Sequence, residues 1–407
     1  MNITSHSKIL IIAVAATSLN FSQNYSNAQV SDFMKARAFE IKSLPDSALK
    51  YYSKILIVKG SDAKIFVARG HVFFAKKDYE NAIADFQKAN QLAPDIASFQ
   101  LAQCYAALND LSTTIQFLKK HLNSKYKLPQ TNIRLNPYFT KYESESDWKK
   151  LWANDWYTKS DEQVGEARFM FNNHDWMGVI NYVSGILKEN SKRHELLYFR
   201  AKAYFEMKNF NTSLNDYSNA IEVFKHNADY FVGRAEVYRA LGKLKDSYND
   251  YSSAINLEPD NFNFYIKRAE LSLALNNIEK SKDDVDLYLS LFANDYQARF
   301  LAGKISYSAG SYLSALSYYN GLLNEYPQRA AVYFERAETY NKATMYQNAI
   351  RDYSTCLSIE PLNILALRKQ GQLYYSLNNL KDACRNWKKA MNAGDFESNN
   401  LYLDNCR

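Results

Sequence analysis

Ala201, Ala235, Ala269, Gly303, Ala337 and Gly371 stand 34 residues apart through the second half of the chain. A fixed period in this range marks stacked two-helix repeats, because one such repeat cannot bury its apolar face alone and must lean on the next. The period overrides the two or three globular domains that 407 residues would otherwise suggest. Apolar residues make up 47% of the chain and only 12 residues are glycine, so an extended core can be buried and the composition is not that of a disordered chain.

The stretch around Ala337 shows the repeat. Tyr333, Ala337 and Tyr340 share one helical face at spacings of 4 and 3, and Ala349, Tyr353 and Cys356 share one on a second helix. Asn341 and Lys342 weaken the first helix, and Pro361 ends the second. Ala337 and Ala349 let the two helices approach, while Tyr353 fills the groove beside them. Numbering the repeat so that Ala337 is position 8, position 20 reads Ala48, Ala82, Thr114, Val179, Ser213, Ser247, Ser281, Ala315, Ala349 and Ala383. Position 24 reads Tyr52, Phe86, Leu118, Val183, Tyr217, Tyr251, Val285, Tyr319, Tyr353 and Trp387. Pro94, Pro259, Pro327 and Pro361 share position 32.

This pattern resembles the tetratricopeptide repeat. The resemblance covers residues 31–397 and implies an all-α fold: a right-handed superhelical solenoid of antiparallel helix pairs, about ten repeats long. The repeats near Ala36 and Ala167 are the most degenerate, and the large position 4 is poorly kept, as at Arg299. The expected organisation is a signal peptide over 1–28, three repeats over 29–123, an insertion over 124–160, seven repeats over 161–397 and the end of a capping helix over 398–407.

Charge follows the period too. Arg69, Arg200, Arg234, Arg268 and Arg336 occupy position 7, and each has an aspartate sixteen residues later: Asp85, Asp216, Asp250, Asp284 and Asp352. The other repeats have neither member, carrying Lys35 with Tyr51, Leu101 with Phe117, Glu166 with Tyr182, Ala302 with Tyr318, and Gln370 with Asn386. Positions 7 and 23 face each other in an antiparallel hairpin, so these read as structural ion pairs within each repeat. The alternative is a ladder of arginines awaiting an anionic ligand. The net charge of +7 comes from 50 basic and 43 acidic residues, interspersed, which gives no one-signed patch for nucleic acid.

The N-terminus reads as an export signal. Lys8 precedes an apolar run from Ile9 to Leu19, too short to span a bilayer, and Ser26 and Ala28 supply small residues before a cleavage point at Gln29. No further apolar stretch approaches a membrane span, so the expected compartment is periplasmic or secreted. In such a compartment Cys384 and Cys406, on adjacent helices, could form a disulfide fastening the cap. Cys104 and Cys356 read as buried small hydrophobes.

Between Ser124 and Ser160 the period fails. Asp147 to Tyr157 reads as a helix with Trp148, Trp152 and Trp156 on one face, preceded by Tyr138, Phe139 and Tyr142. Two readings stand: a buried brace joining the two blocks of repeats, or an exposed aromatic platform for a protein or glycan.

No phosphate-cradling glycine loop, nucleophile elbow or Cys-x-x-Cys pair occurs, and the six histidines show no ligand spacing. No cofactor, metal site or catalytic residue is expected, and the chain reads as a non-catalytic binding scaffold. The family resemblance implies a partner-binding concave groove built from positions 2, 5, 9, 12 and 13. It would present Tyr198, Lys202, Phe205, Glu236, Arg239 and Glu270, then Phe300, Lys304, Tyr307, Phe334, Glu338, Arg368 and Tyr375. Aromatic anchors mixed with both signs of charge suit a peptide or protein. The family's carboxylate clamp, which needs asparagine at position 9, is missing. The expected role is an adaptor in a bacterial envelope assembly, secretion or motility complex; the alternative is a carbohydrate- or peptidoglycan-binding module using the tryptophans.

Overall fold

The computed structural model describes residues 27–58 and 62–406; the expected export signal lies outside the described residues. Within them the chain is all-α, a helical-repeat solenoid of ten antiparallel hairpins. The first three are α1 (Asn27–Ile41) with α2 (Pro45–Val58), α3 (Ala63–Ala75) with α4 (Tyr79–Leu92), and α5 (Ser98–Ala107) with α6 (Leu111–Leu122). An insertion follows, with α7 (Gln130–Arg134), a 3-10 turn (Thr140–Tyr142) and α8 (Ser146–Trp152). Three more hairpins are α9 (Lys159–Asn172) with α10 (Trp176–Glu189), α11 (His194–Glu206) with α12 (Phe210–Val223), and α13 (Ala228–Ala240) with α14 (Leu244–Leu257). The last four are α15 (Phe262–Ala274) with α16 (Ile278–Leu291), α17 (Tyr296–Ser308) with α18 (Tyr312–Glu325), α19 (Ala330–Lys342) with α20 (Tyr346–Ile359), and α21 (Ile364–Ser376) with α22 (Leu380–Asn392). A terminal helix, α23 (Phe396–Asn405), packs on α22.

Every hairpin turns on one residue at positive φ: Ser43, Lys77, Asn109, His174, Lys208, Gly242, Asn276, Gly310, Thr344 and Asn378. This left-handed residue ends the first helix by letting the chain fold back; the Met345 amide, for instance, donates to the Tyr340 carbonyl at 2.8 Å. Asparagine and glycine adopt it readily, whereas the branched Thr344 is strained there, with φ at 61°.

Inside each hairpin the small position 8 is packed by the large position 24. Tyr319, Tyr353 and Trp387 are buried, and a Cβ on Gly371 would sit 2.6 Å from the Trp387 indole nitrogen. Position 20 joins the same contact. Ser213, Ser247 and Ser281 donate their hydroxyls to the carbonyls of Ala201, Ala235 and Ala269 at 2.7 to 2.8 Å, a bond that only helices in near-contact can make.

The chain divides into two compact bodies, up to Phe264 and from Tyr265 onward, so the insertion lies within the first body rather than at a boundary. There Phe139, Tyr142, Trp148 and Leu151 extend the core of α5 and α6, packing with Phe99, Ile115 and Leu118. The helix expected to reach Tyr157 stops at Trp152. Trp156 lies beyond its end, with its indole N–H donating to the Leu151 carbonyl at 2.7 Å. At the other end of the chain, Cys384 and Cys406 form a disulfide between α22 and the end of α23, with Cα atoms 5.7 Å apart.

Gly371→Ala pits two effects against each other. Alanine gains about 1 kcal/mol of helix propensity, but overpacking a core contact costs about 1–3 kcal/mol. With the indole already at contact distance the clash prevails, and the urea midpoint is expected to fall. A raised midpoint would show that Trp387 has room to move.

Candidate functional site

The position 7 arginines are tied on both sides. Each donates Nε and Nη2 to the two carboxylate oxygens of its aspartate, at 2.6 to 2.8 Å in all five repeats. The aspartates are buried, as with Asp216 at 1%. Nη1 also reaches back to the preceding repeat, from Arg69 to Ser53, Arg200 to Ser184, Arg234 to Ser218, and Arg336 to Asn320. The arginine therefore bridges repeats as well as closing its own. Rings at positions 4 and 11 flank it; the Arg234 guanidinium lies 5.8 Å from the ring centres of both Phe231 and Tyr238. With these donors engaged, the reading of a ladder open to an anionic ligand has no geometric basis.

Gln370 and Asn386 form a neutral copy of the bridge. Asn386 donates to the Gln370 side-chain oxygen at 2.8 Å, and Gln370 donates to Ser354 of the preceding repeat at 2.8 Å. The bridge thus needs shape and hydrogen bonds more than charge. Asp250→Ala, which strands Arg234, should cost about 2–4 kcal/mol as a broken buried pair, whereas Arg234→Gln with Asp250→Asn should retain most of the stability. Chemical denaturation of both variants checks this; equal losses would refute the neutral-bridge account.

The groove residues behave differently in the two bodies. In the first, Tyr198 and Lys202 of α11 face Arg168 and Phe171 of α9. The Lys202 ammonium lies 4.1 Å from the centre of the Phe171 ring and 5.2 Å from that of Tyr198, and the Arg168 guanidinium lies 5.8 Å from that of Phe199. Among the described residues, neither Arg168 nor Lys202 forms a salt bridge. Burial lowers the pKa of both; Tyr198 opposes this at Arg168, and Asp229 and Glu206 oppose it at Lys202. Phe205 packs on Phe210 at 5.6 Å. Glu236 is held by Tyr251 and Arg239, so neither Glu236 nor Arg239 is a free group. Within the first body, Arg37 of α1 also donates to Asp260, in the loop after α14, at 3.0 Å, and pairs with Glu40, which accepts from Tyr52.

In the second body the charges are largely self-satisfied. Lys304 lies 3.7 Å from Glu335, Glu338 accepts from Tyr353, Glu270 pairs with Lys267, and Arg368 is captured by Asp395 and Glu397 at the start of α23. Phe300 packs on Tyr319 and Phe334 on Tyr353, while Tyr307 lies beside Tyr312 and Tyr375 stays 48% exposed against Trp387. Arg368 is therefore corrected from a groove residue to a tether for the cap.

The exposed tryptophan platform is not assembled. Trp148 is 1% exposed, and Trp152 and Trp156 are half-buried against the same core, so no continuous ring surface faces outward. The segment packs on the hairpin of α5 and α6, the last of the first block. Sequence reasoning missed Arg168 because the repeat around Ala167 is degenerate; the signal was its place at position 9, equivalent to Lys202. Among the described residues there is no cluster of three or more metal-binding side chains, and no helix is long and apolar enough to cross a membrane.

One titrating group bears on the first body. Burial pushes the Glu258 carboxyl from an ordinary 4.5 up to about 7, with Asp229 adding to it. The folded state then keeps a proton that the unfolded chain has released, so this contribution is full below about 4.5 and lost as the pH rises to about 7. Glu258→Gln should flatten that decline, raising stability near pH 7.5 by on the order of 1 kcal/mol and little at pH 4.5. Melting curves across this range provide the check, and parallel profiles for the two proteins would contradict it.

Ten antiparallel hairpins with small residues at position 8, six of them with a hydrogen-bonded pair between positions 7 and 23, define a helical-hairpin repeat protein. A family model described as the tetratricopeptide repeat matches residues 63–96, the hairpin of α3 and α4. The fold is similar to that of a tetratricopeptide repeat protein from Parabacteroides merdae (TM-score 0.50, 18% identity, 60% of this chain and 97% of that one). Weaker likenesses are to the C-terminal part of a TPR repeat-containing protein from Cytophaga hutchinsonii (TM-score 0.48, 15% identity, 60% and 99% covered) and to YrrB, a TPR protein with an unusual peptide-binding site (TM-score 0.41, 19% identity, 46% and 97% covered). The chain thus has an all-α helical-repeat fold, with the tetratricopeptide-repeat model matched at one of its hairpins.

Proposed function

We propose that the chain is a non-catalytic scaffold that binds a protein or peptide partner, and that the inner face of the first body is its main contact. The observation that carries this reading is the Arg168–Lys202 pair: two half-buried cations on successive first helices, set on aromatic rings, with no salt bridge among the described residues. Desolvated cations of this kind gain most from an incoming carboxylate, and the surrounding rings supply rigid apolar area. The partner segment is therefore acidic, with apolar or aromatic side chains. The second body, its charges already matched, contributes Phe300, Tyr307 and Phe334 as secondary anchors.

We further propose that the protein is bacterial, exported to the periplasm or beyond, and acts as an adaptor in an envelope assembly, secretion or motility complex. The signal-like N-terminus supports export, and the Cys384–Cys406 disulfide suits an oxidising compartment. Burial of Trp148 weighs against the carbohydrate- or peptidoglycan-binding alternative.

Crosslinking and mass spectrometry in the native host test the reading. The double variant Arg168→Ala, Lys202→Ala, checked by circular dichroism, should lose its crosslinked partners at least about tenfold, as expected for groups near the centre of an interface. An unchanged partner set would sink the assignment to this face. Retention on peptidoglycan that vanishes with Trp156→Ala would favour the alternative.

A further inference from the structure

Five repeats lack arginine at position 7, and four of them fill the place it would occupy. The Gln370 repeat has the neutral bridge. In the Lys35 and Leu101 repeats, position 23 is aromatic and stacks on a ring at position 11: Tyr51 on Phe39 at 5.6 Å, and Phe117 on Tyr105 at 5.5 Å. In the Glu166 repeat, Tyr182 and Met170 pack against one apolar cluster. The Ala302 repeat has none of these. Position 11 is Ser306, and a cavity of about 360 Å³ opens between α16, α17 and α18, lined by Ala302, Ser306, Ser314, Tyr318, Asp286 and Lys282 among others.

The chemistry of this cavity follows from what stands at the same places elsewhere. Asp286 occupies position 25, whose counterparts Ser53, Ser184, Ser218 and Asn320 each accept a hydrogen bond from a guanidinium. In the Ala302 repeat the carboxylate has moved from position 23 to the neighbouring helix, and the arginine is gone. Among the described residues Asp286 forms no salt bridge; burial, with the field of Asp286 adding to it, raises the Tyr318 hydroxyl above its ordinary pKa. The cavity therefore keeps an anionic acceptor and hydroxyls where other repeats hold a guanidinium, but supplies no guanidinium of its own.

We propose that this cavity is a socket for an arginine side chain of another polypeptide. The entering guanidinium pairs with Asp286 and takes the place that the position 7 arginines occupy in five other repeats. Its planar fork matches a carboxylate with adjacent hydroxyls better than a lysine ammonium does. Lys282, on the wall, is the one like charge among the lining residues and makes the socket selective for a ligand that can bond Asp286 directly. The site lies in the second body on positions 7, 23 and 25, and it does not rest on the inner-face reading.

The test is calorimetric titration of the full chain with an acetylated Gly-Ser peptide carrying one arginine, against the same peptide carrying citrulline, its neutral isostere. The arginine peptide should bind saturably, with the citrulline peptide at least about tenfold weaker. Asp286→Asn should erase that difference. Ala302→Arg, which places the chain's own guanidinium in the socket, should abolish binding while the helical signal is retained; if that variant fails to fold, Asp286→Asn decides. Equal binding of the two peptides, no saturable binding of the arginine peptide, or undiminished discrimination in Asp286→Asn would overturn the proposal. Failure of the inner-face variants to alter crosslinking leaves these outcomes unchanged, so the two readings are separately refutable.

Discussion

The structure depends on how closely two helix backbones can approach at position 8. Where that residue is alanine or glycine, a ring at position 24 lies directly on the first helix and a serine at position 20 can reach its carbonyl. That contact fixes the hairpin angle, and repeating the angle gives a stack in which each hairpin covers its neighbour's apolar face. The fold is thus a consequence of absent side chains as much as of present ones.

On that frame the position 7 site is a modular joint. Its arginine meets an aspartate in its own repeat and an acceptor in the previous one, so a single side chain sets both the closure of a hairpin and its seat on the last. The neutral Gln370 joint shows that the geometry survives loss of charge, and the Phe39–Tyr51 and Tyr105–Phe117 stacks show that it survives loss of polarity. What it does not tolerate without consequence is a small residue. At Ala302 nothing takes the volume, and a solvent-open cavity results. The same tolerance explains why the ladder can be interrupted without ending the array.

Much of the architecture was legible in the sequence because the period ties each packing residue to its partner, Arg69 to Asp85 and Ala337 to Tyr353, whereas the Cys384–Cys406 disulfide reaches a helix outside the period and was legible only as one possibility. The hairpin turns were less legible. The left-handed residue at each is variously serine, lysine, asparagine, histidine, glycine or threonine, so composition conceals a strict backbone requirement. The insertion misled in another way. Trp148, Trp152 and Trp156 have helical spacing, but the helix stops at Trp152, and the core of α5 and α6 buries what an isolated helix would have exposed.

The candidate site was the least legible part, for a physical reason. Whether a charged side chain is free depends on residues remote in sequence, not on its own repeat position. Lys202 and Arg368 were both assigned to the groove by register, yet one rests on aromatic rings without an ion pair and the other is held by a cap that follows the last hairpin. Arg37 meets Asp260 across more than two hundred residues, a contact no repeat pattern encodes. Register places a side chain on a face; neighbours brought there by the stacking decide whether its charge is already spent. Arg168 and Lys202 show the outcome: both rest on aromatic rings, and among the described residues neither forms a salt bridge.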